Sequence, residues 1–142
     1  MGPRIVLDTC VLVAALRSRR GASFRIVSLV GRGHFEFCLS VPLMVEYEAA
    51  AKRHSRKLGL TYEDIDDVLD YLCRVGIHRE VHFLWRPCLR DPGDDLVLEL
   101  AVESESTYLV THNVRDFTGA EKFGINVIHP KEFLRVIGEL SP

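Results

Sequence analysis

At 142 residues, 47% of them hydrophobic and 27% charged, the chain has the material for one buried core and not for two. Its apolar residues come in short runs broken by charge, which excludes a membrane helix of ~20 apolar residues. The formal charge of −2 conceals two unlike parts. Residues 1–57 carry ten Lys/Arg against four Asp/Glu, and residues 58–142 carry eight against sixteen. A basic half joined to an acid-rich half suits a protein that holds a polyanion over an acidic pocket, although ordinary solvated faces would give the same counts.

Asp8 and the stretch Arg17 to Arg20 interrupt the apolar N-terminus, so no signal peptide is expected there, and the protein is read as soluble, intracellular and cytoplasmic. Cys10, Cys38, Cys73 and Cys88 form no C-x-x-C pair and none stands beside a histidine at zinc-ligand spacing, so they read as reduced thiols in or near the core. The six histidines are dispersed, with no His-Glu-x-x-His motif. A metal site built on histidine or thiolate is therefore not expected.

In chain order, Ile5-Val6-Leu7-Asp8-Thr9 opens with an unbroken apolar run, the pattern of a strand buried on both faces of a parallel sheet. Asp8 is the first polar residue after that run, at the carboxyl end of the strand, where open α/β sheets place ligands; by itself it would serve equally well as a helix cap. A short helix, Val11 to Leu16, leads into the basic turn Arg17-Ser18-Arg19-Arg20-Gly21. Phe24, Ile26, Val27 and Val30 predict a second helix closed by Gly31 and Gly33. Phe35 to Leu39 reads as a strand, and Pro42 suits the first turn of the next helix. That helix carries Glu46 one turn in, aimed over the same sheet edge as Asp8, and runs on to the basic Lys52-Arg53-His54-Ser55-Arg56-Lys57.

Thr61 and Asp64 mark another helix start, with Ile65, Val68, Leu69 and Leu72 on its apolar face up to Gly76 and the solvated Asp66, Asp67 and Asp70 opposite. Leu58, Leu60, Tyr62 and Tyr71 are read as core in preference to a dimer face. Glu80 to Trp85 is expected to be an extended edge or connecting strand. The turn Arg90-Asp91-Pro92-Gly93 then enters an apolar helix with Asp94 and Asp95 at its N-terminus, one of which is expected to be the N-cap, and with Glu99 a turn further on. Thr107 to Thr111 is a further buried strand, followed by His112-Asn113-Val114-Arg115-Asp116-Phe117. Ile125 to Ile128 and a helix from Pro130 close the chain. This order predicts an α/β fold, a three-layer α/β/α sandwich with a central, mainly parallel sheet, as a single domain over residues 1–142.

Asp8, Glu46, Asp94 or Asp95, and Asp116 thus recur at comparable places, just past strand ends or at helix starts. If they converge, their mutual repulsion requires a cation. Carboxylates and water are the preferred ligands of Mg²⁺ and Mn²⁺. Two such ions ~3.5–4 Å apart can activate water and stabilise the leaving oxygen of an in-line phosphodiester displacement.

At these residues the chain resembles the PIN-domain family, and within it the bacterial and archaeal toxin components of toxin–antitoxin systems, the VapC-like ribonucleases. The resemblance rests on four motifs in the family's order: Ile5-Val6-Leu7-Asp8-Thr9; Leu39-Ser40-Val41-Pro42 with Glu46-Tyr47; Arg90-Asp91-Pro92-Gly93-Asp94-Asp95 with Leu98-Glu99-Leu100-Ala101; and Tyr108-Leu109-Val110-Thr111-His112-Asn113 with Asp116-Phe117. It implies an Mg²⁺- or Mn²⁺-dependent endoribonuclease with one or two ions. Asp8 matches the family's first acid, Glu46 its second, Asp116 its fourth, and either Asp94 or Asp95 its third. Thr111 and Asn113 match polar positions that support the acids. Cys10 stands where relatives often have Asn. On this reading Arg17, Arg19, Arg20, Lys52, Arg53, Arg56 and Lys57 would hold RNA phosphates. The resemblance further implies an RNA substrate, a homodimer, a cognate antitoxin protein and no membrane. The rival readings are a PIN-fold RNA-binding or RNA-processing module without toxin activity, a haloacid-dehalogenase-like phosphatase, for which the Asp-x-Asp pair is missing, and a flap-type DNA nuclease, for which the chain is short.

Overall fold

The computed structural model describes residues 2–82, 89 and 91–140. Within them, β1 (Arg4–Leu7), β2 (Glu36–Leu39), β3 (Ile77–His78), β4 (Tyr108–Val110) and β5 (Asn126–Ile128) form one sheet in the order β3-β2-β1-β4-β5. All the pairings are parallel: Ile5 faces Phe37 on one side and Tyr108 on the other, and Leu7 faces Val110. Such strands need crossovers, and helices supply them. The steps from β1 to β2 and on to β3 carry α1 (Thr9–Arg17), α2 (Ala22–Leu29), α3 (Val41–Arg53), the short α4 (Ser55–Leu58) and α5 (Tyr62–Val75). The return from β3 to β4, past β2 and β1, carries α6 (Pro92–Glu103), and α7 (Pro130–Val136) follows β5. Right-handed crossovers running in opposite directions put α1–α5 and α6 on opposite faces, and α7, which follows the last strand, packs against α2 on the first of them. The result is the three-layer α/β/α sandwich.

The apolar runs explain the core. Ile5, Val6, Leu7, Cys38, Leu39, Leu109 and Val110 are at most 1% exposed, because strands in the middle of this sandwich are covered on both faces. Helix ends follow local chemistry: the Ser40 hydroxyl accepts from the Leu43 N–H at 3.3 Å to start α3, and Thr61 and Asp64 exchange capping bonds of 3.0 and 2.9 Å to start α5. Gly31, with φ of +82°, turns the chain after α2 where a side chain would press on Tyr71 and Val75.

Two expectations change. Tyr62 and Tyr71 are not core: they are 58% and 37% exposed, Tyr62 stacking against the Lys52 ammonium and Tyr71 donating its hydroxyl proton to the Val30 carbonyl at 2.6 Å. Each phenol thus keeps a polar end at the surface. The edge strand also begins earlier than expected. It is Ile77–His78, pairing at once after Gly76, whose missing Cβ would otherwise sit 2.8 Å from the Leu39 side chain and the Leu72 carbonyl. Glu80 to His82 have no strand structure, and Phe83 to Trp85, like Cys88 and Arg90, lie outside the described residues.

One bond ties α3 to the functional edge of the sheet. Tyr47 is fully buried and its hydroxyl donates to the Leu7 carbonyl at 2.5 Å, at the last residue of β1. Tyr47→Phe removes that donor with no loss of apolar area, and the expected result is a destabilisation of about 1–2 kcal/mol in urea unfolding with an unchanged denaturant slope.

Candidate active site

In a sheet ordered β3-β2-β1-β4-β5, the chain departs in opposite directions on either side of β1, and the crevice between β1 and β4 opens at their carboxyl ends. Asp8 and Thr111 are the residues that immediately follow these strands. The Asp8 N–H donates to the Val110 carbonyl at 2.9 Å, so pairing continues up to the site itself. Both oxygens of the Asp8 carboxylate are held: Oδ1 accepts from the Thr9 N–H at 2.8 Å, while Oδ2 accepts from the Thr111 hydroxyl at 2.7 Å and the Cys10 thiol at 3.3 Å. Thr111 is itself oriented, because its Oγ1 accepts from the Asn113 N–H at 3.0 Å. Asn113 enters this network through its backbone.

Burial raises the Asp8 pKa, the hydrogen bonds from Thr111, Cys10 and Thr9 oppose that rise, and the Asp116 carboxylate adds to it. The Cys10 thiol is pushed up to about 11, by burial first and then by Asp8, so it is a neutral donor and not a thiolate. Asp94 is shifted strongly. Burial, followed by the charges of Asp8, Asp91, Asp116 and Asp95, pushes its pKa up to about 7. No lysine or arginine stands among the leading influences on Asp8 or Asp94.

The N-cap of α6 differs from expectation. It is Asp91, whose Oδ1 accepts from the Gly93 N–H at 2.8 Å, and neither Asp94 nor Asp95. Pro92 accounts for the shift, since a proline at the first helical position needs no N–H partner and sets the helix to begin there. Asp94 and Asp95 therefore occupy the first turn and point to different places. Asp94 shares the field of Asp8 and Asp116, whereas Asp95 is 1% exposed and its Oδ1 accepts from the Leu89 N–H at 2.9 Å. Glu99, a turn further, is buried and lines a separate cavity with Ser40, Arg79 and Leu96.

Glu46 reaches the same helix start from α3. A Cβ built on Gly93 would lie 3.9 Å from Glu46 Oε1 and 3.3 Å from Asp91 Oδ1, so the glycine leaves room for two carboxylates to face one spot. The fold thus brings Asp8, Asp94 and Asp116 into one field and turns Glu46 and Asp91 towards the mouth of α6. Asp91 is the acid missed as a site member. Its turn signal, Asp-Pro-Gly, is visible in the sequence, but its proximity to Asp94 depends on the helix starting at Pro92, directly after it.

These donors fit a hard divalent cation. The cluster is rich in carboxylate, poor in cationic side chains, and strained enough electrostatically to protonate one member near neutrality. Among the described residues no three His, Cys, Asp or Glu side chains stand together as a group that could hold a metal ion. Mg²⁺ characteristically takes one or two carboxylates and keeps several waters.

The basic residues divide. Lys52 is engaged by Glu48 at 3.0 Å and Asp66 at 2.9 Å, so its charge is already shared by two carboxylates on the α3–α5 seam. Arg19 and Arg20 line a depression with Arg25 and Lys131. Arg53, Arg56 and Lys57 are exposed near the end of α3 and on α4. Arg17 lines a groove that starts beside Asp8, with Thr9, Cys10 and Asn113.

The family model described as PIN domain matches residues 4–115. The chain belongs to the PIN-domain family. Among solved structures, a chain in the crystal structure of VapBC2 from Rickettsia felis bound to a DNA fragment from their promoter is similar at 14% identity, with a TM-score of 0.60, over 87% of this chain and 98% of that one. Among curated protein sequences no match is found. No helix among the described residues of this PIN domain is long and apolar enough to cross a membrane.

Two aspartates side by side in α6 make a discriminating pair. The folded-state pKa of Asp94, about 7, lies above its unfolded value of about 4, so between these pH values the folded protein binds a proton that the unfolded chain does not. The stability that Asp94 contributes is therefore present in acid and is lost as the pH rises through about 7. Without divalent cations, Asp94→Asn is expected to raise the melting temperature relative to wild type at about pH 8 and to leave it nearly unchanged at about pH 4. Asp95→Ala is expected to destabilise by about 1–3 kcal/mol at neutral pH, because it strips the Leu89 N–H of its partner.

Proposed function

We propose that this PIN domain is a metal-dependent endoribonuclease that hydrolyses RNA phosphodiester bonds, acting in the cytoplasm as the toxin of a toxin–antitoxin pair. The observation that carries the reading is the setting of Asp94, where burial first and then the charges of Asp8, Asp91 and Asp116 hold a carboxyl proton up to about pH 7 with no basic side chain among the leading influences. A cluster so arranged is costly to the apo protein and is relieved by a divalent cation. The family match and the likeness to the Rickettsia felis VapBC2 chain support the toxin reading and an antitoxin partner, and the proposal includes a homodimer.

On this proposal Asp8, Asp94 and Asp116 hold Mg²⁺ or Mn²⁺, as one or two ions, and Glu46 helps to hold it or orients the attacking water. Asp94, not Asp95, is the third acid, since Asp95 is committed to the Leu89 backbone. A cation held by these residues would supply Lewis acidity for the hydrolysis. Thr111, Cys10 and the Thr9 N–H hold both oxygens of Asp8 in one orientation, which lowers the reorganisation required when charge develops. To hold a cation Asp94 would have to lose its proton, so binding is expected to tighten with rising pH through about 7 and to release protons.

Purified protein is expected to cut labelled RNA with Mg²⁺ or Mn²⁺, to stop with EDTA, and to lose at least ~100-fold in rate on Asp8→Asn with an unchanged circular dichroism spectrum. Equal inertness of folded, metal-saturated wild type and variant towards several RNAs would leave an RNA-binding module of the same fold as the better reading. In parallel, calorimetric titration of Mn²⁺ into wild type at about pH 6 and about pH 8 is expected to show tighter binding at the higher value, with this difference reduced in Asp94→Asn.

A further inference from the structure

Beside the acids, a groove of about 550 Å³ runs along α1 towards the end of α3, lined by Thr9, Cys10, Arg17, His54, His112 and Asn113 among others. Thr9 and Cys10 bond to Asp8, so the groove is continuous with the acid centre. Its notable member is His112, two residues beyond β4. One ring nitrogen, Nε2, lies 2.8 Å from the hydroxyl oxygen of Ser23, a residue only 2% exposed on α2. The other, Nδ1, lies 3.4 Å from Nε2 of His129, whose ring meets it edge-on at 81° with centroids 5.0 Å apart.

The protons in this chain are determined by its last member. His129 caps α7, its Nδ1 accepting from the Lys131 N–H at 3.3 Å, so its own proton sits on Nε2 and is donated to His112 Nδ1. His112 then carries its proton on Nε2 and donates it to Ser23. Burial, with the His129 ring second and against the opposing pull of Asp8, lowers the His112 pKa, which agrees with a neutral ring. Both nitrogens are thus occupied by the protein, and the ring can neither turn freely nor hydrogen-bond a ligand. What remains for the groove is the immobilised aromatic ring of a lining residue that stays exposed to solvent.

Arg17 supplies the complementary charge. It is exposed on the same groove and makes no ion pair among the described residues. A fixed ring face and an uncommitted guanidinium along one channel are the elements that hold a single strand, the ring by base stacking and the cation by a phosphate. We propose that this groove is a subsite for single-stranded RNA, in which one base next to the cleaved bond stacks on His112 and its phosphate is held by Arg17. The proposal rests on the nuclease reading for the identity of the strand. His112 is a positioning residue here: it orders the strand over the acids and takes no part in the bond-breaking step.

The test uses single-stranded RNA with 2-aminopurine at successive positions, bound in the presence of Mg²⁺ to an Asp8→Asn protein so that it is not cut. One position is expected to lose fluorescence on binding, as a stacked base does. His112→Ala should abolish that quenching and weaken binding by about 5- to 150-fold, the range that stacking on one side chain provides. His112→Phe, which keeps a ring face and loses both hydrogen bonds, should restore quenching. Arg17→Ala, on an exposed residue whose loss leaves the fold alone, should weaken binding and flatten its salt dependence by about one phosphate contact. Duplex RNA, whose bases are already stacked, should show neither effect of His112→Ala.

Binding equal to that of the Asp8→Asn protein in both the His112→Ala and Arg17→Ala variants, or no binding of single strands at all, overturns the subsite. If wild type nevertheless cuts RNA, the nuclease reading stands without it. Dependence on His112 and Arg17 in a protein that never cuts RNA would keep the groove and sink the nuclease.

Discussion

The site depends on the register between β1 and β4. With Leu7 opposite Val110, the two chains leave the sheet together, the Asp8 N–H still bonds to the Val110 carbonyl, and Thr111 comes close enough to donate to the Asp8 carboxylate at 2.7 Å. A slip of one residue would move Leu7 to the opposite face of the sheet, against packing shaped for another side chain, and turn Asp8 away from Thr111, because side chains alternate across a strand. The packing that protects the core from such a slip therefore also aims the carboxylate. Tyr47 reinforces the same point from the helical layer, bonding to the Leu7 carbonyl while its neighbour Glu46 looks towards the start of α6.

Against that order stands the electrostatic cost of gathering acids. Asp8 is 6% exposed and still accepts three hydrogen bonds, so its charge is partly compensated by local dipoles. Asp94 has no such hydrogen bonds among the described residues, and burial first, then the repulsion of its neighbours, raises its pKa. The two aspartates of α6 show how one turn of helix can divide labour between adjacent residues, since 100° of rotation takes Asp94 to the acid cluster and Asp95 into the interior. A carboxylate cluster of this kind trades stability of the apo protein for affinity towards a cation.

The layout of the strand ends extends this logic to the histidines. Asp8, Ser40, Thr111 with His112, and His129 all follow strands at the same edge of a parallel sheet, where side chains from separate parts of the chain meet. Ser23 comes from α2 and links that edge to the helical layer. The polar residues that follow the apolar runs thus assemble into two adjoining features, an acid centre between β1 and β4 and a ring-lined groove beside it.

Much of this was legible in the chain. The buried runs at Ile5–Leu7 and Leu109–Val110, the helix start at Ser40-Val41-Pro42 and the capping pair Thr61 and Asp64 are local signals, set by hydrophobic burial and by backbone groups that need partners, and these hold wherever the segment is placed. Residue order therefore determined the α/β class and the element on which each acid rides, although not which acid caps α6. The rest involved distance between elements. Whether Asp94 or Asp95 faced Asp8 depended on Pro92 starting the helix at Asp91, the edge strand began at Ile77 because Gly76 lets it touch Leu39, and Lys52 was neutralised by Asp66 from another helix. His112 and His129, 17 residues apart in the chain, acquired defined protons only when parallel pairing of β4 and β5 put their rings edge to face. A single sequence fixes which groups are available and on which local element they ride. Only tertiary packing decides which charges share a field, because electrostatic and hydrogen-bonding energies depend on separation in space and not along the chain.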